Sequence, residues 1–253
     1  MAPEGDVLVA EELSASAPGG GARRGGVRRA SLRVGRGELV AILGRSGSGK
    51  SALLGLCGGF QRPQAGRVLV AGLDLGELDA AGRESLLRRT VGWVFQSPRL
   101  VPVLTAEENV ALAMRLAGGR EAEARTLSEA ALQAVGLAHR AGQRAANLSR
   151  GERQRVALAR AVVKAPALII ADEPTAQLDS ATADEILSLL AEAARSDVAV
   201  LFSTHDENEA ARADRFLVMD EGVLQEARRA RGRRPPVSPR NPRVPPTLLE
   251  RSS

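Results

Sequence analysis

Apolar positions along the front of the chain recur on a short period. Val7-Leu8-Val9 and Ala30-Ser31-Leu32-Arg33-Val34, separated by a Pro18-Gly19-Gly20-Gly21 turn, read as strands of a small antiparallel element. Leu39-Val40-Ala41-Ile42-Leu43 is apolar at every position, as a strand buried on both faces requires, and Ser51 to Leu56 opens a helix soon after it. Gly66 to Gly72 and Val91 to Phe95 read as further strands, with Trp93 expected in the core. From Thr105 to about Arg160 the period lengthens to that of a helix, beginning at a capping box in which Thr105 faces Glu108. Strand and helix then alternate: Ala167 to Ala171, a helix from about Ala181 to Arg195, Val198 to Phe202, a helix from about Glu207 to Ala213, and Phe216 to Met219. An Asp220-Glu221-Gly222 turn leads into a short last strand, Val223-Leu224-Gln225. This alternation predicts an α/β fold with a mainly parallel sheet covered on both faces, and there is no internal repeat.

Charge changes the picture only at one end. The formal net charge is +5, but residues 227–253 hold eight Arg against Glu250 alone, a net +7, so the other 226 residues carry −2. The body therefore gives no electrostatic case for nucleic-acid binding. Six prolines among those arginines predict a disordered basic tail, read either as a solvated extension or as a contact with anionic lipid. One cysteine, Cys57, excludes an internal disulfide and is expected to pack within the helix after Leu43. No run approaches the roughly 18–20 apolar residues that span a bilayer, and Met1 to Asp6 lacks the basic entry of a secretion signal. A cytoplasmic chain is expected, with any membrane role supplied through a partner.

The candidate chemistry begins where the fully apolar run ends. Residues 44–51 read Gly-Arg-Ser-Gly-Ser-Gly-Lys-Ser, the Gly-x4-Gly-Lys-Ser phosphate loop. Its glycines allow φ > 0 and close wrapping around an anion, and the following helix turns its free N–H groups toward phosphate. Gly44, Arg45, Ser46, Gly47, Ser48, Gly49, Lys50 and Ser51 are thus the candidate nucleotide-binding residues. Lys50 would reach the β- and γ-phosphates, and the Ser51 hydroxyl would ligate Mg²⁺. A second acidic element comes from the apolar strand that ends in Asp172-Glu173, two carboxylates at the carboxyl edge of the sheet. Asp172 would hold Mg²⁺, directly or through water, and Glu173 would polarise the attacking water as general base.

Leu148-Ser149-Arg150-Gly151-Glu152 and the Arg153 to Ala161 stretch behind it resemble the signature motif of the ATP-binding-cassette (ABC) ATPases. The remaining motifs follow in that family's order: Gln96 as the Q-loop, Asp172-Glu173-Pro174-Thr175 as Walker B, Leu178-Asp179 as the D-loop and Ser203-Thr204-His205-Asp206 as the His switch. The resemblance covers residues 7–226 and implies a phosphate-loop, RecA-like sheet with an antiparallel β subdomain and a helical signature subdomain at about 105–160. It implies ATP as the nucleotide, with Mg²⁺ held by Ser51, Gln96 and Asp172, and Glu173, His205 and Gln96 as the catalytic set. It further implies that Ser149, Arg150, Gly151, Glu152 and Asp179 reach the ATP of a second copy in a head-to-tail dimer. His205 would then stabilise charge developing on the γ-phosphate. The implied partners are a second copy and a separately encoded integral membrane permease, at the cytoplasmic face of the membrane. Phe95 to Val110 resembles the lipoprotein-release, macrolide-export and cell-division branch, in which this segment touches the membrane subunit. A generic importer-like or exporter-like cassette, a regulatory cassette with weak turnover and a soluble non-transport ATPase stay open at this level.

Four positions depart from the family pattern. Ala17 stands near the place of the usual adenine-stacking aromatic, and the chain has no Tyr, so an ATP dissociation constant raised about tenfold or more is expected. Arg150 replaces the first signature glycine, which either crowds the dimer interface or adds a cation beside the partner's phosphates. Ala176 after Glu-Pro-Thr and Ala52 after Lys-Ser are small, and little effect is expected from them.

Overall fold

The computed structural model describes residues 5–16 and 26–226. Ala17, the Pro18 to Gly21 turn and the basic segment 227–253 lie outside the described residues. The chain opens with β1 (Asp6–Ala15), β2 (Val27–Gly35), β3 (Leu39–Leu43), α1 (Lys50–Cys57), β4 (Ala65–Val70), β5 (Leu73–Asp74), α2 (Ala80–Thr90) and β6 (Val91–Val94). A helical stretch follows, made of α3 (Ala106–Leu116), α4 (Glu121–Ala134) and α5 (Arg150–Val162). It closes with β7 (Leu168–Ala171), α6 (Ser180–Arg195), β8 (Ala199–Thr204), α7 (Glu207–Ala210), β9 (Arg215–Asp220) and β10 (Val223–Glu226).

The strands divide into two sheets. Six form a sheet in the order β10-β9-β3-β8-β7-β6, parallel throughout except for the antiparallel pair β9 and β10. The other four form an antiparallel sheet in the order β2-β1-β4-β5. β3, read as apolar at every position, sits between β8 and β9, and the pleat sends its residues both ways. Val40 and Ile42 pack with α1 and the antiparallel sheet, whereas Leu39 and Ala41 pack with Leu158 of α5 and Ile186 and Leu190 of α6. Each buried Leu or Ile stabilises such a layer by roughly 1.5–3 kcal/mol, which is why β3 is apolar at every position.

Some boundaries differ from the sequence reading. β1 runs well past Val9, because Ala10 and Leu13 are also buried and the strand pairs on both sides. α7 stops at Ala210 rather than Ala213. α2 was not foreseen: it buries no residue fully, its Leu86 and Leu87 are adjacent rather than three or four apart, and Gly82 interrupts its first turn. Its start is nonetheless defined, since the Asp79 carboxylate accepts a hydrogen bond from the Gly82 N–H at 2.7 Å.

α3, α4 and α5 share a separate apolar cluster that includes Val110, Leu132, Leu137 and Val156. The expected capping box is present at its entrance: Thr105 Oγ1 accepts from the Glu108 N–H at 3.1 Å, and Glu108 Oε2 accepts from the Thr105 N–H at 2.8 Å. No helix among the described residues is long and apolar enough to cross a membrane.

Candidate functional site

The phosphate loop spans the gap between β3 and α1. Gly47 and Gly49 take φ of 79° and 109°, a region in which an L side chain would be strained. Gly44 is fixed by space instead: a Cβ there would lie 2.4 Å from the Met219 carbonyl oxygen. α1 has no side-chain cap and no acidic residue in its first turn, so its free N–H groups are open to an anion. The loop is braced from behind, where the Gly222 N–H donates to the Ser48 carbonyl at 2.9 Å and the Arg28 N–H donates to the Gly222 carbonyl at 2.8 Å. The turn between β9 and β10 thereby joins the antiparallel sheet to the loop.

Lys50 is buried, at 3 % exposure, and its ammonium has three oxygen partners. It donates to the Gly44 carbonyl at 2.7 Å and the Arg45 carbonyl at 3.1 Å, and it pairs with Glu173 Oε1 at 3.1 Å. Gln96 Nε2 donates to Glu173 Oε2 at 3.1 Å. One carboxylate thus joins the phosphate loop to the loop that leaves β6. Asp172 and Glu173 follow β7, as the sequence predicts.

Ser203, named in the sequence only as part of a motif, links the two acids. Its Oγ donates to Asp172 Oδ1 at 2.7 Å and accepts from the Glu173 N–H at 2.9 Å. Glu173 has φ of 41°, a left-handed conformation that costs a non-glycine residue about 1–3 kcal/mol and is held here by that hydrogen bond. Ser203→Ala is expected to lower stability by about 1–3 kcal/mol and to reduce turnover, because it leaves the Glu173 N–H without its acceptor. Equal melting temperature and rate in both proteins would remove this role.

His205 is exposed just beyond β8. It lines a hollow with Thr175, Asp206 and Glu209, and it has no hydrogen bond to Lys50 or Glu173 among the described residues. Glu209, unforeseen in the sequence, accepts from the hydroxyls of Thr175 and Thr204 and so ties the loop after β7 to the end of β8.

A second cluster lies at the N-termini of α5 and α6. Ser149 Oγ accepts from the Glu152 N–H, and Glu152 Oε2 accepts from the Ser149 N–H at 2.7 Å. That backbone bond, aided by Arg140, holds the Glu152 carboxyl below its ordinary range. Asp179 caps α6 by accepting from the Thr182 N–H and hydroxyl, and both bonds lower its pKa. The two caps touch through Gly151, where a Cβ would lie 2.7 Å from Thr182 Cγ2. Arg150 differs, since it occupies the first turn of α5 without a positive φ. No hydrogen bond or ion pair joins Ser149, Glu152 or Asp179 to residues 44–51 among the described residues. Their hydrogen bonds thus form a cluster separate from that of the phosphate loop.

A groove of about 690 Å³ runs between α2 and α5 beside β6. Trp93, expected in the core, is only partly buried and forms its floor. Phe60 and Phe95 stack on it with ring centroids 4.4 and 5.3 Å away, and a Cβ at Gly58 would overlap the indole at 2.0 Å. β6 is the edge strand of its sheet, which is why an apparent core position opens to one side. The loop after Gln96 forms part of the wall and is clamped to the helical region. Asn109 exchanges hydrogen bonds with the Val101 backbone, Arg160 donates to the Pro98 and Arg99 carbonyls, and Gln154 donates to the Phe95 carbonyl.

Burial pushes the Lys164 ammonium on this wall down to about 8 from 10.5. The unfolded chain then binds the extra proton between about pH 8 and 10.5, so stability rises with pH across that window. Lys164→Met is expected to stabilise the protein at pH 7 by about 1–3 kcal/mol, with the gap closing toward pH 10.5. A lower melting temperature at pH 7 would contradict this. By contrast, burial pushes the Cys57 thiol up to about 12, which leaves it inert as a packing residue.

Comparison with known proteins adds to this geometry. Residues 27–176, more than half of the chain, match the profile of the family described as ABC transporter. The chain is similar to the ATP-binding cassette MJ0796, solved as a dimer in a post-hydrolysis state bound to ADP and Pi. The identity is 31% over 87% of this chain and 99% of that one, with a TM-score of 0.78. It is also similar to cbiO1 from Clostridium perfringens, described as part of the ABC transporter complex cbiONQ, at 30% identity over 88% and 89% of the two chains and a TM-score of 0.77.

Proposed function

The chain belongs to the ABC transporter family, and from that membership we infer how its two half-sites work. It is the ATP-binding, ATP-hydrolysing subunit of a transporter. In our reading two copies meet head to tail, so that the phosphate loop of one faces Ser149, Arg150, Gly151, Glu152 and Asp179 of the other. The single observation that carries this reading is that the phosphate loop, leading into the uncapped N-terminus of α1, and the signature residues, at the capped start of α5, form separate hydrogen-bonded groups in one chain. The dimer described for MJ0796 supports it.

In that composite site, Gly44 to Ser51 would enclose the phosphates and Lys50 would exchange its Glu173 contact for phosphate oxygens. Mg²⁺ fits the donor set: the Ser51 hydroxyl, the Asp172 carboxylate and the Gln96 amide oxygen are hard oxygen donors that would hold it. When bound, the ion would neutralise charge on the β- and γ-phosphates. Glu173, released from Lys50, takes the proton of the attacking water; the oxygen of that water bonds to the γ-phosphorus as the bond to ADP breaks. His205, at the end of β8, would approach the γ-phosphate only once nucleotide and the second copy are in place.

The permease would dock in the aromatic groove, at the cytoplasmic face of the membrane. Gln96 contacts Glu173 while Phe95 and Arg99 of the same loop line the groove, which gives a direct mechanical connection between the two. cbiO1, described as part of a transporter complex, supports a membrane partner. Phe95 to Val110 supports the branch that serves permeases for lipoprotein release, macrolide export or cell division. A phosphate-release assay on the purified protein tests the reading: hydrolysis is expected with ATP and Mg²⁺ and is lost with EDTA or in Lys50→Ala. Undiminished hydrolysis in Lys50→Ala would refute the site.

A further inference from the structure

We propose that Glu209 is a positioning residue for ATP hydrolysis: through Thr175 and Thr204 it holds the strained turn that follows Glu173 and the strand end that carries His205 in one geometry. This rests on the hydrolytic reading above and assigns the site a residue that acts through its neighbours. The turn from Glu173 to Asp179 runs against its own backbone preference. Glu173 and Gln177 take φ of 41° and 63°, the left-handed region that favours glycine. Inside the turn, the Ala176 N–H donates to the Glu173 carbonyl and the Leu178 N–H to the Thr175 carbonyl, both at 3.1 Å. A turn of this kind persists only where the surroundings hold it. Ser203 does so at one end, by accepting from the Glu173 N–H. Farther along, a hollow of about 470 Å³ lined by Thr175, Gln177, Leu178 and Glu209 leaves the turn incompletely packed. There Glu209 Oε2 accepts from the Thr175 hydroxyl at 2.9 Å.

The same oxygen fixes the His205 end. It accepts from the Thr204 hydroxyl, whose oxygen in turn accepts from the Asp206 N–H at 3.0 Å, so both chain neighbours of His205 are tied to one carboxylate. His205 is exposed, and its place therefore depends on the backbone that these bonds hold. The Thr204 carbonyl accepts from the Gly44 N–H at 3.1 Å, which joins the first residue of the phosphate loop to the same strand end. Thr175 and Thr204 are buried, at 6 % and 1 % exposure. Without Glu209 each hydroxyl would lose its acceptor where water replaces it poorly.

Glu209 is itself well placed for the task. Ala210 beside it is fully buried in the cluster that holds Ile186 and Phe202, which anchors α7 to the sheet. No Lys or Arg forms an ion pair with Glu209 among the described residues; Arg212, three positions on, pairs with Asp184. The carboxylate is thus used as an acceptor of hydroxyl hydrogen bonds, a task that an amide oxygen can also perform.

Phosphate release and nucleotide binding, measured on the purified full chain, test the proposal. Glu209→Met is expected to lower kcat by about 10- to 100-fold, the scale of a displacement of about 1 Å among reacting groups, while the Kd for ATP changes by less than about twofold. Glu209→Gln should keep kcat within about threefold of the parent, because its amide oxygen can accept both hydroxyls. Thr175→Val is the gentler variant. It should lower kcat by about tenfold, and combined with Glu209→Met it should cause no further loss, because both break the same contact. Full kcat in Glu209→Met would overturn the proposal, and so would a loss in Glu209→Gln as large as in Glu209→Met. Equal losses of kcat and ATP affinity would also overturn it, since they mark a general structural defect. Should Glu209→Met fail to fold, an unchanged kcat in Thr175→Val overturns the proposal by itself. A parent protein that hydrolyses no ATP would instead refute the hydrolytic reading, and the role of Glu209 with it.

Discussion

Glu173→Gln is expected to reduce ATP turnover by about 10²- to 10⁴-fold, the usual contribution of a general base, while ATP is still bound. The amide keeps the size of the carboxylate but cannot take a proton from water. The backbone at residue 173 should stay where it is, because Ser203 holds its N–H rather than its side chain. Losing the 3.1 Å pair also frees Lys50 for phosphate, so the variant should bind ATP at least as tightly as the parent. Bound ATP that is not hydrolysed keeps both half-sites bridged. Light scattering with ATP should therefore show a persistent dimer for Glu173→Gln and a transient one for the parent. Full turnover in the variant would remove Glu173 from the base role.

Arg150→Gly is expected to weaken ATP-driven dimerisation by about 10- to 100-fold, the loss of one charge-assisted hydrogen bond of about 1.5–3 kcal/mol. Two neighbouring positions explain the direction. Gly151 is required by the fold, since its Cβ would collide with Thr182 of α6. Residue 150 has helical φ and carries arginine with no strained backbone, so nothing in this chain demands glycine there. What remains for Arg150 is the surface presented to the second copy. Sedimentation across a range of ATP concentrations would measure the change. Tighter dimerisation of Arg150→Gly would mean that the side chain crowds the interface, the opposite of the electrostatic role.

Much of the nucleotide half-site was legible because its chemistry is local. The spacing of Gly44, Gly47, Gly49, Lys50 and Ser51 fixes a loop that only a phosphate uses well, and the capping box at Thr105 involves residues three apart. Other features had no local signal. Gln96 and Glu173 meet across 77 residues, and Ser203 joins Asp172 across 31, so no window of sequence contains either contact. Trp93 read as core because strand periodicity says which face a residue points to and nothing about whether that face is covered. α2 escaped because its apolar residues do not repeat at a helical interval.

The sequence by itself determined the α/β layers, the phosphate loop, the acidic pair at 172 and 173, and the family, because each depends on residues close together or on the order of motifs. Only the tertiary structure decided that Glu173 pairs with Lys50, that Ser203 links Asp172 to the Glu173 backbone, and that three rings share an open, basic-rimmed groove. The physical reason is the same in each case. Backbone propensity and apolar period act over a few residues, whereas ion pairs, ring stacks and uncovered edges arise where β3, β6 and β7 carry distant segments to one side of a sheet.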